Sequence, residues 1–341
     1  MTIQLPKTAQ EIRLARHPEG ALALEDFDIV DVPVAEPSEG QVLVRTDLVP
    51  VAAAFKEMMR AKSPLPMPTW QLGQRIGTPA IGTVVVSKSP DLSEGDLVMS
   101  MTGWGEFSTG EAAQYFKLDR NIFPSPAYYL NQGLPAYYGM VEMARVGEGD
   151  VVYISGAAGG VGSLAGQIAK CRGAKQVIGS AGGKEKVDYL LRDLGFHSAF
   201  GYDDGPVVDN LRRLAPEGIN VFFDVVGGEH FEAAVEAAAA KARFALCGSL
   251  SSQLGDADGR PRFDVLTAIG KHLELRPFAT PYTQELMAAW GQHFGQWLGE
   301  GRFVFPHTVV EGGLSQAPHA FMSLEAGAYT GNVSVAVTPT K

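Results

Sequence analysis

The chain has few cysteines, no long apolar run and no excess of positive charge. Each of these absences excludes a class of protein. Its 341 residues include only two cysteines, which cannot build a disulfide framework and are typical of a reducing compartment. No uninterrupted apolar stretch of about 18 residues exists, so no membrane span is predicted. The N-terminal segment MTIQLPKTAQEIRLARHP lacks an apolar signal core. We therefore expect a cytoplasmic protein.

Positive charge is scarce. The 28 Lys and Arg residues stand against 38 Asp and Glu residues, for a formal net charge of −10, and no basic stripe is available to neutralise nucleic-acid phosphates. A content of 45% hydrophobic and 19% charged residues is typical of a compact globular chain. The chain is longer than a single ordinary hydrophobic core supports, which favours two domains. A small-molecule substrate is expected, with neither nucleic acid nor membrane as a partner.

A glycine-rich stretch at residues 151–170, VVYISGAAGGVGSLAGQIAK, points to a ligand. Val151–Ile154 predicts a short buried strand, and apolar residues at helical spacing predict a helix directly after the turn. Gly156, Gly159 and Gly162 lie three residues apart, so backbone without Cβ atoms can approach a ligand closely. The unpaired amides at the start of the helix favour a phosphate group. This pattern predicts a dinucleotide pyrophosphate site, and a tight turn without a ligand is the alternative.

Alternating elements follow the glycine-rich turn. Strands are predicted at 176–180, 199–202, 221–225 and 243–247, and helices at 185–193, 207–214 and 230–240, which is the rhythm of a parallel sheet with helices on both faces. A later helix at 284–300 is expected to bury one apolar face, made of Leu286, Met287, Trp290, Phe294, Trp297 and Leu298.

The chain before the turn has a different pattern. Residues 11–119 contain short extended runs broken by Pro and Gly, which predicts a twisted, barrel-like β domain. Segment 58–74 within it is either a loop beside a ligand cleft or a packed connection. The last segments, from 308 to 337, indicate a strand, a helix and a strand that return to the β domain. The predicted domains are 1–124 together with 301–341, and 125–300.

Seven motifs in this order resemble the medium-chain dehydrogenase/reductase superfamily over nearly the whole chain. The finer match is to its zinc-free branch of leukotriene B4 dehydrogenase, prostaglandin reductase and 2-alkenal (curcumin-type) double-bond reductases. The resemblance implies an α/β protein with a Rossmann doubly wound parallel sheet domain, a GroES-like twisted β-barrel domain, a cleft between them, and a homodimer. The motifs are EGQVLVR (39–45), GWGEF (103–107), GLPAYYGM (133–140), SGAAGGVGSLAGQIAK (155–170), EKVDYL (185–190), FDVVGGEHFEAAV (223–235) and ALCGSLS (245–251).

Zinc ligands are not found at the expected places. Zinc alcohol dehydrogenases need a Cys or His catalytic set and usually a four-cysteine structural site. Here Cys171 and Cys247 are far apart in sequence, where packing explains them better than reactivity, and residues 77–82 read GTPAIG where those enzymes resemble GHExxG. Without a Lewis acid to stabilise alkoxide charge, alcohol oxidation is disfavoured. Hydride delivery to a C=C bond conjugated with a carbonyl is easier, so a metal-free site is expected.

NADPH is expected as the cofactor rather than NADH. An NAD-preferring site places Asp or Glu about 20 residues past the glycine-rich turn, whereas this chain has SAGG at 180–183, followed by Lys184 and Lys186. The resemblance implies that Lys186 and Tyr202 hold the 2′-phosphate, although singly they would be a solvated lysine and a half-buried tyrosine. The residues expected at the cofactor are Gly156, Ala157, Gly159, Gly160, Val161, Gly162, Gly182, Lys186, Tyr202, Val226, Cys247, Gly248, Ser249 and Phe278, with core packing as the alternative for Val226 and Phe278.

Catalytic residues are harder to assign. The chain has AAAFK at 52–56 where relatives carry a DPYMR-like segment, Gly270 in place of a tyrosine, and GAYTGN at 327–332 in place of a GANxGK-like string. Tyr137 and Tyr282 are weak proton-donor candidates, with aromatic packing as the alternative, and water is a further proton source. The residues expected to line the substrate pocket are Phe55, Met58, Trp70 and Trp104.

The expected function is NADPH-dependent, zinc-independent reduction of an α,β-unsaturated ketone or aldehyde by hydride transfer to the β-carbon. Three alternatives stay open. One is an NADPH quinone oxidoreductase, which shares the fold and the cofactor. Another is a non-catalytic nucleotide-binding protein of crystallin type, and the third is carbonyl reduction of ketones.

Overall fold

The computed structural model describes residues 5–253 and 261–337. These residues form two compact units. The first domain contains the described residues up to Asn131 and from His307 onward, and the second domain contains Gln132–Pro306. The chain therefore passes between domains a few residues later than the expected points at 124/125 and 300/301. None of the helices in the described segments has the length and hydropathy that a membrane crossing requires.

Fifteen strands and ten α-helices lie in the described residues. The strands are β1 (Thr8–Leu14), β2 (Phe27–Pro33), β3 (Gln41–Val51), β4 (Ala80–Ser87), β5 (Leu97–Ser100), β6 (Phe107–Glu111), β7 (Phe116–Lys117), β8 (Val151–Ile154), β9 (Gln176–Ala181), β10 (Ser198–Gly201), β11 (Ile219–Asp224), β12 (Ala238–Leu246), β13 (Glu274–Pro277), β14 (His307–Val310) and β15 (Asn332–Ala336). The helices are α1 (Ala54–Met58), α2 (Gly133–Tyr137), α3 (Gly162–Cys171), α4 (Lys184–Arg192), α5 (Val207–Leu214), α6 (Gly228–Ala237), α7 (Leu250–Gln253), α8 (Val265–Lys271), α9 (Gln284–Gly299) and α10 (Gln316–Glu325).

The second domain is built on a six-stranded sheet in the order β10-β9-β8-β11-β12-β13. Every neighbouring pair is parallel. Read by position along the domain, this is the 3-2-1-4-5-6 order of a doubly wound Rossmann fold, in which ligands bind at the carboxyl ends of the strands where the order reverses. That reversal lies between β8 and β11, which pair in register from Val152 opposite Val221 to Ile154 opposite Phe223. The predicted α/β class is confirmed.

The predicted boundary between α6 and β12 is wrong. The alanine run at 237–240 favours a helix, and we expected the helix to continue to residue 240. Instead α6 ends at Ala237, Ala238 is already extended, and β12 begins there, with Ala238 opposite Ile219 of β11. Pairing with the neighbouring strand outweighs the helix propensity of a few alanines, because that propensity is worth only a fraction of a kcal/mol per residue.

Helix α9 buries a narrower face than predicted. Trp290, Phe294 and Trp297 are buried, and the Trp290 and Phe294 rings stack with centroids 4.9 Å apart. Met287, predicted on the same face, is 46% exposed in the first turn of the helix. The fully buried part of the apolar face of α9 therefore begins at Trp290.

The first domain is rich in antiparallel strands. Strands β1 and β2 form a hairpin, and a second sheet has the order β14-β15-β3-β4-β5-β7, with β6 also pairing with β3. The long strand β3 pairs with β6 along residues 41–45 and with the terminal strand β15 along residues 48–51. Because β3 changes partner along its length, it forms backbone hydrogen bonds at both ends of a curved sheet. The core beneath contains Ile12, Trp104 and Phe321, each at most 1% exposed.

Candidate functional site

The glycine turn, residues 155–161, connects β8 to α3 at the carboxyl end of the sheet. Gly156 has a φ of +59°, which favours glycine. A Cβ on Gly162 would lie 2.5 Å from the Gly156 carbonyl oxygen, so the helix start and the turn are in direct contact. A Cβ on Gly159 would meet only that same oxygen, at 3.5 Å. The packing of the protein therefore requires Gly162, whereas Gly159 presents bare, exposed backbone.

The remaining residues of the turn are held by neighbours in the second domain. The Ala157 amide donates to the Ser180 carbonyl at 2.9 Å, which ties the turn to β9. A Cβ on Gly160 would lie 2.5 Å from Nε2 of Gln132, so the Gln132 amide covers this glycine. Val161 is half-buried and precedes the first residue of α3.

A buried pair of polar side chains joins the turn to the end of β11. The Ser155 hydroxyl donates to Oδ1 of Asp224 at 2.7 Å, and the amides of Val226 and Gly227 donate to the same oxygen at 3.1 and 2.9 Å. The Ser155 oxygen in turn accepts from the amides of Val225 and Val226. Burial raises the pKa of the Asp224 carboxyl against the lowering effect of these hydrogen bonds. Sequence analysis missed this pair, although Asp224 lies inside a quoted motif.

The loops after β11 and β12 come together at the same edge of the sheet. The amides of Cys247 and Gly248 donate to the Asp224 carbonyl at 2.9 and 3.1 Å. A Cβ on Gly227 would lie 2.6 Å from the Ser249 hydroxyl. Val226 in turn approaches the glycine turn, since a Cβ on Gly156 would lie 3.2 Å from its Cγ2. The structure thus gathers Val226 and residues 247–249 around the turn.

Phe278 follows β13 and packs against Phe223 of β11 and against Tyr138. Its ring centroid lies 6.4 Å from that of Phe223 and 5.5 Å from that of Tyr138. A Cβ on Gly139 would lie 2.7 Å from the Phe278 ring. Gly139 belongs to a π-helical segment, Tyr138–Met143, a rare element that is frequent at functional sites. Sequence analysis gave no signal for this segment, which shapes the surroundings of Phe278.

The end of β9 carries the residues expected at the 2′-phosphate. Gly182 follows the strand, and a Cβ there would lie 3.7 Å from the Tyr202 ring, so the ring packs beside bare backbone. Lys186 lies in the first turn of α4 and is half-buried, and burial lowers its pKa. Lys184 is 83% exposed and pairs with Asp188 at 2.8 Å. Of the two lysines, Lys186 is the one held against the protein.

Tyr202 reaches from β10 toward the glycine turn. Tyr202 is 41% exposed. Partial burial raises its pKa to about 12, although a hydrogen bond with the Gly156 backbone opposes the shift. The ring packs edge-on to His230 with centroids 5.0 Å apart. Burial lowers the pKa of His230 to about 4, so its imidazole is neutral near pH 7. No sequence pattern distinguishes His230 from the rest of its motif.

The two cysteines have protonated thiols near neutral pH. Burial raises the pKa of Cys247 to about 12, with a smaller contribution from Asp224, and burial also raises the pKa of Cys171. A thiolate is the reactive form of cysteine. The raised pKa values therefore favour packing roles over reactivity for both residues.

The two tyrosines proposed as proton donors lie in different surroundings. The Tyr137 ring is only 4% exposed, and its hydroxyl lies 3.0 Å from Nδ1 of His293 on α9. Tyr282 is 72% exposed, and partial desolvation together with a smaller electrostatic effect of Cys247 raises its pKa. Its role as a proton donor stays a prediction.

The four residues expected to line a substrate pocket belong to one cluster of the first domain. Trp104 has no accessible surface and donates to the Pro50 carbonyl at 3.3 Å, so its contacts are those of a core residue. Trp70 is 8% exposed and donates to the Gly77 carbonyl. Phe55 and Met58 are partly buried against the same cluster. Phe55 and Met58 have more surface available for a ligand than either tryptophan.

The geometry fits a dinucleotide. A pyrophosphate and a phosphorylated ribose require three features that this site has: bare backbone at Gly159, a helix start at Gly162 and a small residue at the end of β9.

Among the residues described, no group of three or more His, Cys, Asp or Glu side chains is arranged to hold a metal ion.

A doubly wound parallel sheet with a glycine turn at its switch point, in one chain with an antiparallel β domain, defines a two-domain dehydrogenase or reductase. Two family models match, the N-terminal domain of oxidoreductase over residues 10–118 and zinc-binding dehydrogenase over residues 160–291. The chain belongs to the medium-chain dehydrogenase/reductase superfamily, in its zinc-free branch, and is an oxidoreductase.

Named relatives cover most of the chain. The NADPH-dependent curcumin reductase of Escherichia coli (strain K12) is 29% identical over 334 residues, 95% of each chain. The 2-alkenal reductase (NADP(+)-dependent) of Nicotiana tabacum is 33% identical over 264 residues, 76% of each chain. Among solved structures, CurA of Vibrio vulnificus in complex with NADPH superimposes with a TM-score of 0.88 at 26% identity, covering 97% of this chain and all of the other.

Proposed function

We propose that this chain is an NADPH-dependent, zinc-independent reductase of C=C bonds conjugated with a ketone or aldehyde. The observation that carries the proposal is the end of β9, where Gly182 stands in place of an acidic residue and Tyr202 and Lys186 are close by in the fold and the chain. An acidic residue there would accept the ribose hydroxyls of NADH and repel a 2′-phosphate. Relatives named for curcumin and 2-alkenals, both of which contain C=C bonds conjugated with carbonyls, support the substrate class.

In this proposal the second domain binds and orients the cofactor. The amides at the start of α3 and the bare backbone of Gly159 bind the pyrophosphate, while Lys186 and Tyr202 hold the 2′-phosphate. Val226, residues 247–249 and Phe278 hold the nicotinamide end. NADPH, when bound, supplies the hydride that reaches the β-carbon of the substrate.

The residues that complete the reaction are also proposals. A hydrogen-bond donor at the carbonyl oxygen of the substrate would stabilise the charge that develops there. Tyr282 is the more accessible of the two tyrosine candidates for proton transfer, and its raised pKa keeps it protonated near neutral pH. Phe55 and Met58 are the proposed apolar contacts of the substrate. A homodimer and a cytoplasmic location complete the proposal.

A screen of NADPH oxidation by the purified protein tests the function. The substrates are 2-alkenals, linear enones, para-quinones and saturated ketones, with NADH in parallel. We expect turnover of alkenals or enones, a saturated carbonyl compound as the product, and no tightly bound zinc by elemental analysis. Turnover of quinones alone would assign a quinone oxidoreductase instead. Binding of NADPH without turnover of any substrate would assign a nucleotide-binding protein, and stoichiometric zinc would overturn the proposed chemistry.

A further inference from the structure

Three buried polar side chains meet beneath Tyr202. Tyr153 and Ser180 have no accessible surface and His230 is 7% exposed. The Tyr153 hydroxyl lies 2.6 Å from Nδ1 of His230 and 2.9 Å from the Ser180 hydroxyl, and the Ser180 hydroxyl lies 3.4 Å from the same Nδ1. We name these three residues the polar triangle. They come from β8, β9 and α6, so the triangle joins three separate elements.

The hydrogen bonds of the triangle constrain one another. The imidazole is neutral near pH 7, so Nδ1 either accepts or donates according to its tautomer. In both cases the Tyr153 hydroxyl acts as donor toward one partner and as acceptor from the other. Removing that hydroxyl leaves both His230 and Ser180 without their shortest contact, and buried polar groups without partners shift to find new ones.

The triangle lies against two parts of the candidate site. Its His230 ring supports the Tyr202 ring edge-on at 5.0 Å. Its Ser180 residue accepts the Ala157 amide through its carbonyl and precedes Gly182 by two residues. A change in the triangle therefore reaches Tyr202 through the His230 ring.

We propose that Tyr153, Ser180 and His230 are positioning residues that strengthen the preference for NADPH over NADH, by holding Tyr202 where its hydroxyl meets the 2′-phosphate. This inference rests on the proposed function. None of the three contacts the coenzyme in this proposal, and each acts through Tyr202. NADH has no phosphate at that position, so a displaced Tyr202 weakens NADPH binding and leaves NADH binding unchanged.

The variant Tyr153→Phe tests the proposal, because it removes one hydroxyl and keeps a ring that stacks on Phe222 with centroids 5.1 Å apart. Dissociation constants for NADPH and NADH are measured by calorimetry. We expect a rise of about five-fold in the NADPH constant, the equivalent of one ordinary hydrogen bond, with no change for NADH. Ser180→Ala provides a second, smaller deletion with the same expected direction.

A double-mutant cycle separates positioning from general destabilisation. In a Tyr202→Phe background, Tyr153→Phe should have no further effect on NADPH binding, because the group through which it acts is gone. Tyr115→Phe is the matched control, since the Tyr115 hydroxyl is likewise buried and bonded to a serine, Ser108, but in the first domain. Equal weakening of both coenzymes, unchanged selectivity, or additive effects in the cycle would each overturn the inference. If the unmodified protein binds no NADPH, the proposed function itself fails.

Discussion

The hydroxyl of Ser155 donates a 2.7 Å hydrogen bond to Oδ1 of Asp224 across the switch point of the parallel sheet. Ser155 directly follows β8 and Asp224 ends β11, so one buried contact links the glycine turn with the loop that carries Val226. Three donors converge on the single oxygen Oδ1. Because loops after strands are otherwise free to move separately, this contact fixes the relative positions of the two loops.

Replacement of Asp224 separates the need for an acceptor from the need for a charge. Asp224→Asn keeps an oxygen for the three donors, so we expect a folded protein with NADPH affinity within about two-fold of the original. Asp224→Ala leaves the Ser155 hydroxyl and the Gly227 amide without this partner. We expect a loss of about 2–4 kcal/mol in the free energy of unfolding and weaker NADPH binding. Urea unfolding and calorimetric titration provide the two measurements.

A comparison of Asp224→Asn with the original protein also gives a prediction for the dependence of stability on pH. The pKa of Asp224 is raised in the folded state, so the folded protein holds this proton to higher pH than the unfolded chain does. Its contribution to stability is therefore greatest at low pH and is lost as pH rises through the folded pKa. Asp224→Asn removes that loss. The stability of the Asn variant relative to the original should be higher at pH 8 than at pH 4, and an opposite trend would contradict the raised pKa.

Two alanine variants in the glycine turn separate an effect on stability from an effect on NADPH binding. In Gly162→Ala the new Cβ would meet backbone atoms of Gly156 and Ala157 at 2.5 and 2.9 Å, so the turn must shift and the melting temperature should fall by several degrees. Gly159→Ala meets nothing closer than 3.5 Å. This second variant should keep its melting temperature and still bind NADPH at least ten-fold more weakly, because a methyl group then occupies the approach of the pyrophosphate. Unchanged affinity in folded Gly159→Ala would place the pyrophosphate elsewhere.

The features that were predictable from the sequence are those that depend on residues close together in the chain. The β8–turn–α3 unit, the parallel sheet and the missing acid after β9 are local features, since strand, helix and turn signals lie within about 20 residues. Partners distant along the chain were not visible. Tyr153 reads as one more apolar strand residue, and only the parallel pairing of β8 with β9 brings its hydroxyl to Ser180. The burial of Trp104 was not visible either, since this motif residue has no accessible surface, and its place in a substrate pocket stays a prediction.

Lys186 and Lys184 provide a matched comparison of two nearby lysines. Lys186→Gln should raise the NADPH dissociation constant about ten-fold or more through the loss of a charge-assisted bond to the 2′-phosphate, with little effect on NADH. Lys184→Gln removes an equal charge from a side chain that pairs with Asp188 at the surface, and its effect should be several-fold smaller and sensitive to salt. Fluorescence titrations with both coenzymes at two salt concentrations give the comparison. Equal effects of the two variants would mean that general charge, rather than a specific contact, favours NADPH.

Cys247 should be unreactive despite its place beside the proposed coenzyme. Its pKa is raised to about 12 by burial, so at pH 8 only about one thiol in ten thousand is ionised, and a thiolate is required for alkylation. Iodoacetamide labelling followed by mass spectrometry of the Cys247 peptide should therefore proceed far more slowly than labelling of a free thiol, and its rate should rise about ten-fold per pH unit between pH 7 and 9. Rapid labelling at pH 7 would give this cysteine a chemical role that its raised pKa argues against.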